Sequence, residues 1–247
     1  MKKEYTVHAP HAIHNSDNVL NELYAHCEEV IKNYDEDRDG LPVIAISEGN
    51  IKVGRTRSVS RPPVFCCSGD CERCMRDCYA VRMYSGRNRK VIRAAWDRNM
   101  ILSMIDPDAY FDGISAVMAE EDYFRYHVSG DITSAAYLAG MIRTARENPD
   151  CIAMTFTENY DVVNNWIDKN GDLPENLIIL FSVHYGRVCN NPHNLPEAHI
   201  IYEDSNMNTL PENKQAFICP GNCETCQNCG AGCFSAKHGD IVAFNQH

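Results

Sequence analysis

Residues 123–158 read YFRYHVSGDITSAAYLAGMIRTARENPDCIAMTFTE, and the order of patterns in that stretch decides the fold. Tyr123 to Val128 is a β-prone run closed by Ser129-Gly130-Asp131, Ser134 to Glu147 has helical spacing, and Cys151 to Phe156 is a second β-prone run. A strand, a helix and a strand in that order form a crossover unit, so the two strands lie parallel in one sheet. Downstream the alternation continues: Glu158 to Asp168 reads as a helix, and Leu177 to Val183 and His199 to Tyr202 as strands.

Upstream, residues 17–33 form an amphipathic helix with Asp17 as N-cap and Val19, Leu20, Leu23, Tyr24, Cys27, Val30 and Ile31 on one face. Leu41 to Ser47 is a short apolar run suited to a strand buried on both sides. Glu48-Gly49-Asn50 is a turn, a polar loop with Pro62-Pro63 follows, and Asn88 to Met104 and Pro107 to Ala119 read as helices. The expected fold is α/β: a (β/α) barrel or partial TIM-like barrel of parallel strands, with a doubly wound sheet as the other arrangement that fits. A Cys-rich loop and a Cys-rich C-terminal tail are added to it.

The chain has 247 residues, 44% hydrophobic and 23% charged, a composition that packs a core. No apolar run follows Met1-Lys2-Lys3, and none has the length of a membrane span, so a cytoplasmic location is expected. Thirteen cysteines in a reducing compartment point to metal before disulfides. Net charge is −11, from 23 basic and 34 acidic residues, which opposes adhesion to nucleic acid or to an anionic membrane. Basic side chains nevertheless crowd the stretch from Lys52 to Arg98 around the first cysteine cluster. They suit an anionic cluster, an anion-binding site or a solvated helix face.

Ligands of parallel sheets gather beyond the C-terminal strand ends. Ser47 and Glu48, then Ser129, Gly130 and Asp131, then Thr155, Thr157 and Glu158, then Ser182, His184 and Tyr185 occupy that rim. Asp131, Glu158 and His184 are the candidate acid–base groups among them; turn chemistry and helix capping are the plainer reading of each.

Cys67, Cys71 and Cys74 have the Cx3Cx2C spacing that lets three thiolates of one loop face three irons of a cubane. The fourth iron is then open, or Cys78 takes that corner. Cys219, Cys223, Cys226, Cys229 and Cys233 crowd fifteen residues, and the last four match the bacterial ferredoxin run Cx2Cx2Cx3C, with Phe234 where proline is usual. Two [4Fe–4S] clusters are expected, with zinc as the competing metal. The expected organisation is an N-terminal extension and helix over 1–40, a barrel-like core over 41–210 that includes the loop 66–78, and a ferredoxin-like tail over 211–247 packed on that core.

Gly49-Asn50-Ile51-Lys52, the ending Cys78-Tyr79-Ala80, Arg125-Tyr-His-Val-Ser-Gly-Asp131, Phe156-Thr-Glu-Asn-Tyr160 and the terminal cysteine run together resemble the phage and prophage gene product 88 family. The resemblance implies a phage or prophage gene expressed in a bacterial host. The Cx3Cx2C loop ending in Cys-Tyr-Ala also looks like that of radical S-adenosylmethionine enzymes, which place it over a partial barrel. By that likeness an open iron would hold S-adenosylmethionine, and Ser129, Gly130 and Asp131 would form the cofactor-binding strand end; Arg73 and Asp131 depart from that pattern. The expected function is a redox or radical-type iron–sulfur enzyme. It would act on a small-molecule or macromolecular substrate, served by an electron donor. The alternative is a metal-stapled binding protein without turnover.

Overall fold

The structure is a computed structural model that describes residues 15–50, 53–67, 72–86, 89–211, 214–227, 230 and 232–245. Cys71 and Cys229 of the expected ligand sets, residues 1–14 of the expected N-terminal extension, and Ile51, Lys52 and Arg87 lie outside the described residues.

Among the described residues eight strands make one sheet: β1 (Ile46–Ser47), β2 (Arg57–Val59), β3 (Tyr123–Tyr126), β4 (Ile152–Thr157), β5 (Leu177–Val183), β6 (Glu197–Ile201), β7 (Ala216–Ile218) and β8 (Ile241–Asn245). Their order is β1-β2-β3-β4-β5-β6-β8-β7; β1 runs antiparallel to β2 and every other ladder is parallel. Among the described residues nothing pairs β1 with β7, so the sheet is not closed. The helices are α1 (Asp17–Asn33), α2 (Glu36–Asp39), α3 (Glu72–Asp77), α4 (Tyr79–Ser85), α5 (Arg89–Ile105), α6 (Pro107–Met118), α7 (Ala135–Glu147), α8 (Tyr160–Asn170) and α9 (Cys223–Gln227).

Residues 123–158 fold as β3, α7 and β4, and Ser134 caps α7 by accepting from the Tyr137 N–H at 3.1 Å. Successive strand side chains point to opposite faces, and the two faces bury different partners. Phe124, Tyr126, Ala153, Leu177, Ile179 and Phe181 pack with residues of α6, α7 and α8. Their neighbours Ile152, Met154, Ile178 and Leu180 pack instead against Cys219, Cys223, Cys233 and Phe234 of the tail.

Crossover handedness explains the division. From β2 to β5 the chain steps across the sheet in one direction, so right-handed connections put α7 and α8 on one side. From β7 to β8 it steps backwards, and the same handedness throws the cysteine-bearing connection onto the opposite side. The tail therefore covers the face that the helices leave bare. A third cluster, centred on Leu23, Cys27, Tyr84, Trp96 and Met100, seats α1 on α4 and α5 beside the first cysteine loop.

Several elements depart from the sequence expectation. The run from Leu41 forms a strand only at Ile46–Ser47, and Leu41 and Val43 are exposed. The side chain of Asn99, wholly buried, takes the place of a strand partner there. It donates to Ala45 O at 2.8 Å and Ser60 O at 2.9 Å and accepts from Ala45 N at 2.7 Å. The loop beyond Asn50 contains β2, too short to show a period. β3 stops at Tyr126 because His127 turns the chain at φ 55. Ser16, not Asp17, caps α1, and Asp17 in the first turn pairs with Arg76 at 2.5 Å. Residues 216–218 and 241–245 of the tail are woven into the sheet as β7 and β8 as well as packed on it. No described helix is long and apolar enough to cross a membrane.

Candidate metal centre

The first cysteine loop is clamped over the ends of β2 and β3. Arg61 N donates to Ser129 O at 3.0 Å and Asp131 N donates to Cys66 O at 2.8 Å, which fixes the backbone that leads into the loop. Arg61 is buried; its guanidinium lies 3.9 Å over the Tyr137 ring and donates to Asp131 O at 2.6 Å. Cys66 belongs to the core against α1 and α4. Burial pushes the Cys67 thiol well above its ordinary value, and the nearby charges of Cys78 and Asp131 push it further. The Cys78 thiol is raised chiefly by burial too, although the amides of Val81 and Ala80 bond to it and act in the other direction.

The structure brings Glu158 and His184 together: His184 Nε2 stands 3.0 Å from Glu158 Oε1. They follow the ends of neighbouring strands β4 and β5. The donor atom of Cys74 joins them, and the three donor atoms lie within 4.8 Å of one another. Arg187 holds the other side of the carboxylate, donating from Nη1 to Glu158 Oε2 and from Nη2 to Glu158 O, each at 2.7 Å. A cleft of ≈ 190 Å³ opens here, lined in part by Glu158, Tyr160 and Arg187.

Asp131 touches this group through the backbone. Its Oδ2 accepts from Glu158 N at 3.1 Å and its Oδ1 from Ile132 N at 2.6 Å. Burial raises its carboxyl to about 6, against the opposing hydrogen bonds from Thr157, Glu158 and Ile132. Of the predicted cofactor segment, Ser129 is buried and its Oγ has no hydrogen-bond partner among the described residues; the same is true of Arg61 Nε. Gly130 packs with its backbone against Arg61 and Cys66. Beneath them His127 bonds through Nδ1 to Thr155 Oγ1 at 2.9 Å and through Nε2 to the Tyr137 hydroxyl at 3.0 Å. These bonds hold its left-handed backbone in place, and burial drives its pKa well below the ordinary value.

The second set lies on the tail side of the sheet. Burial pushes the Cys233 thiol far up; the Arg125 charge opposes this, while Cys219, Cys223 and Cys226 add to it, so the four sulfurs share one neighbourhood. Arg125, from β3, donates from Nη1 to Cys223 Sγ at 3.9 Å and lies over the Phe156 ring. Gly232, at φ 81, sits so close that an added Cβ would fall 2.3 Å from Cys226 Sγ. The tail is tied down further where Gln227 Nε2 donates to Thr56 Oγ1 at 2.7 Å and Arg55 N to Glu224 Oε2 at 3.3 Å. Tyr79 stands between the two sets: its hydroxyl donates to Val128 O, and Arg125, Cys78, Cys74 and Cys223 all act on its ionisation.

Sequence reasoning singled out Glu158 and His184 but not their partner Arg187, and placed Arg125 only within a motif. An arginine at an alternating strand position beside Tyr123 was the available signal. Much of the basic stretch is spent internally: Arg57 pairs with Glu48 and Glu121, Arg76 with Asp17, and Arg93 with Glu22.

Fold and sites define an α/β protein with one mostly parallel sheet, a cysteine loop over its strand ends and a second cysteine set on one face. The chain belongs to the gene product 88 family, whose sequence model matches residues 46–203. The match runs from β1 through β6 and includes the first cysteine loop, Glu158 and His184; the second cysteine set lies beyond it. No curated protein and no solved structure matches the chain. Nothing in these matches extends the likeness to radical S-adenosylmethionine enzymes.

Proposed function

We propose that this is a phage-encoded iron–sulfur protein acting in the host cytoplasm, with one [4Fe–4S] cluster at each cysteine set. The observation that carries the reading is the convergence of Cys219, Cys223, Cys226 and Cys233 beside Arg125. The Cys233 thiol, pushed up by burial and by the nearby Cys219, Cys223 and Cys226, becomes a thiolate only against a compensating positive centre, and cubane clusters take four such ligands. Cys229 is a further ligand on the sequence spacing. At the first site Cys67, Cys71 and Cys74 would hold the cluster, with Cys78 as the all-cysteine fourth ligand. Bound clusters would supply one-electron chemistry.

The chain's own groups would do the rest. Arg125 donates to Cys223 Sγ, which would raise the potential of a cluster held there. Asp131, Glu158 and His184 offer proton transfer at the strand ends, and Arg187 orients Glu158 beside the cleft where a substrate would enter. The unpartnered Ser129 Oγ and Arg61 Nε favour a polar ligand at the strand end, which is where S-adenosylmethionine would lie in a radical enzyme. The consecutive order of β2 to β6 favours reading the sheet as a partial (β/α) barrel.

A second reading is favoured by the tail itself. Its cysteine set is supplied wholly by protein and packs on the sheet, as a structural staple would, so a binding protein held together by metal, iron or zinc, is the alternative.

Iron and acid-labile sulfide, measured on anaerobically purified protein together with EPR after dithionite, test the proposal. Near-equal iron and sulfide and a reduced-cluster signal are expected, with part of the signal lost in C226S. A colourless protein carrying zinc alone refutes it. Formation of 5′-deoxyadenosine on adding S-adenosylmethionine and reductant separates radical chemistry from plain electron transfer, and persistence of fold with no turnover points to the staple.

A further inference from the structure

We propose that Cys74, Glu158 and His184 form a mixed-donor metal site that places one thiolate, one carboxylate oxygen and one imidazole nitrogen on a single borderline divalent ion of the Fe2+, Co2+ or Zn2+ class. It rests on the iron–sulfur reading only through Cys74, which both claim. A cluster would hold Cys74 on one of its own irons, so the single ion and the cluster are alternative occupants of that thiolate.

The spacing is already that of ligands. Two donors about 2.0–2.1 Å from a shared ion and separated by about 90–110° stand roughly 2.9–3.4 Å apart. His184 Nε2 and Glu158 Oε1 stand 3.0 Å apart, and the Cys74 sulfur lies within 4.8 Å of both. Closing the sulfur onto a common ion takes a movement of about an ångström.

The supporting groups are in place as well. Arg187 occupies Glu158 Oε2 and the Glu158 carbonyl, and Asp131 Oδ2 receives the Glu158 N–H, so the carboxylate is anchored with Oε1 facing the imidazole. Outer partners of this kind fix the orientation of ligating carboxylates. Arg187 is itself seated 4.9 Å over the Tyr160 ring. Both Glu158 and His184 are largely withdrawn from solvent, at 9% and 16% side-chain exposure, which suits a centre shielded from water. A set of sulfur, nitrogen and oxygen donors selects borderline transition ions over Mg2+ or Ca2+.

The experiment is an anaerobic titration of the full chain with Co2+ after chelator treatment, in protein grown with natural or nitrogen-15 histidine. Two spectral classes are expected: an all-thiolate class from the tail set, with intense sulfur-to-cobalt charge transfer, and a weaker mixed class. H184Q and E158Q should each weaken the mixed class at least tenfold and leave the other untouched, while C226S should do the reverse. Loss of the all-thiolate class in the wild type counts against the iron–sulfur reading alone. The mixed site is overturned if H184Q and E158Q, with unchanged circular dichroism, bind both classes as the wild type does. It is also overturned if the wild type shows no histidine-nitrogen hyperfine coupling to Co2+ or to reconstituted iron, a readout that does not depend on any variant folding. Coupling to Co2+ without sulfide supports the site; coupling found only in the iron protein after sulfide is added places the imidazole on a cluster iron, which Cys74 cannot share with it, and overturns the site.

Discussion

Replacing Asp131 by asparagine should remove a specific pH dependence of stability. The Asp131 carboxyl is raised from 3.8 to about 6, mainly because burial disfavours its charge. A gap of about 2 pH units is worth about 3 kcal/mol between the protonated and ionised forms. The folded state binds this proton more tightly than the unfolded state, so the group's contribution is most favourable at low pH. It declines as pH rises from 3.8 through about 6 and is level above that. Integrating the two titrations, about 2 kcal/mol of the loss falls between pH 4.5 and 7.5. The variant has no such titration. Its oxygen can accept from only one of the Ile132 and Glu158 amides, and the mismatch at the other costs about 1–3 kcal/mol at every pH. Urea melts of both proteins at fixed metal content should show the wild type losing about 2 kcal/mol relative to D131N as pH is raised across that range. A difference that stays constant within about 0.5 kcal/mol would show that Asp131 titrates normally and that its burial is not costly.

Other perturbations test the packing. A Cβ at Gly140 would meet the Phe111 ring at 2.1 Å. G140A should therefore lose about 1–3 kcal/mol to overpacking, only partly offset by about 1 kcal/mol of helix propensity, and thermal melts would register the lower midpoint. N99A removes three hydrogen bonds to Ala45 and Ser60 and should cost about 3 kcal/mol in urea melts, with early hydrogen exchange at β1. G232A puts a methyl group against the Cys226 sulfur at a left-handed backbone position and should lower bound metal at the tail set while leaving the first site loaded, as metal analysis would show.

The central crossover units were legible because each had its full period. Leu177–Val183 spans seven residues, all apolar but Ser182, and α7 carries its own cap at Ser134. β2 and β7, with three residues each, are set by their neighbours in the sheet, since Arg57-Ser-Val and Ala216-Phe-Ile have no pattern that outweighs the loops around them. β8 is a longer apolar run, hidden by its place after the cysteine tail. The strand-end rule found Asp131, Glu158 and His184 because chain direction alone puts them on the rim. It could not find their meeting with Cys74 or Arg187, which depends on how a long loop folds back across β4 and β5. The spacing of the tail cysteines announced that they would gather, whereas the place of Arg125 beside them follows only from which face of β3 the tail covers.

The position of β8 carries a consequence for biogenesis. It follows β7 in the chain yet lies between β6 and β7, so during translation β6 waits with an open hydrogen-bonding edge from residue 202 until residue 241 has left the ribosome. The cysteines that lie between the two strands emerge inside that interval. A nascent chain arrested there would present an unpaired strand together with loose thiols, a combination prone to aggregate and to oxidise, and metal delivery at that stage would favour completion of the sheet.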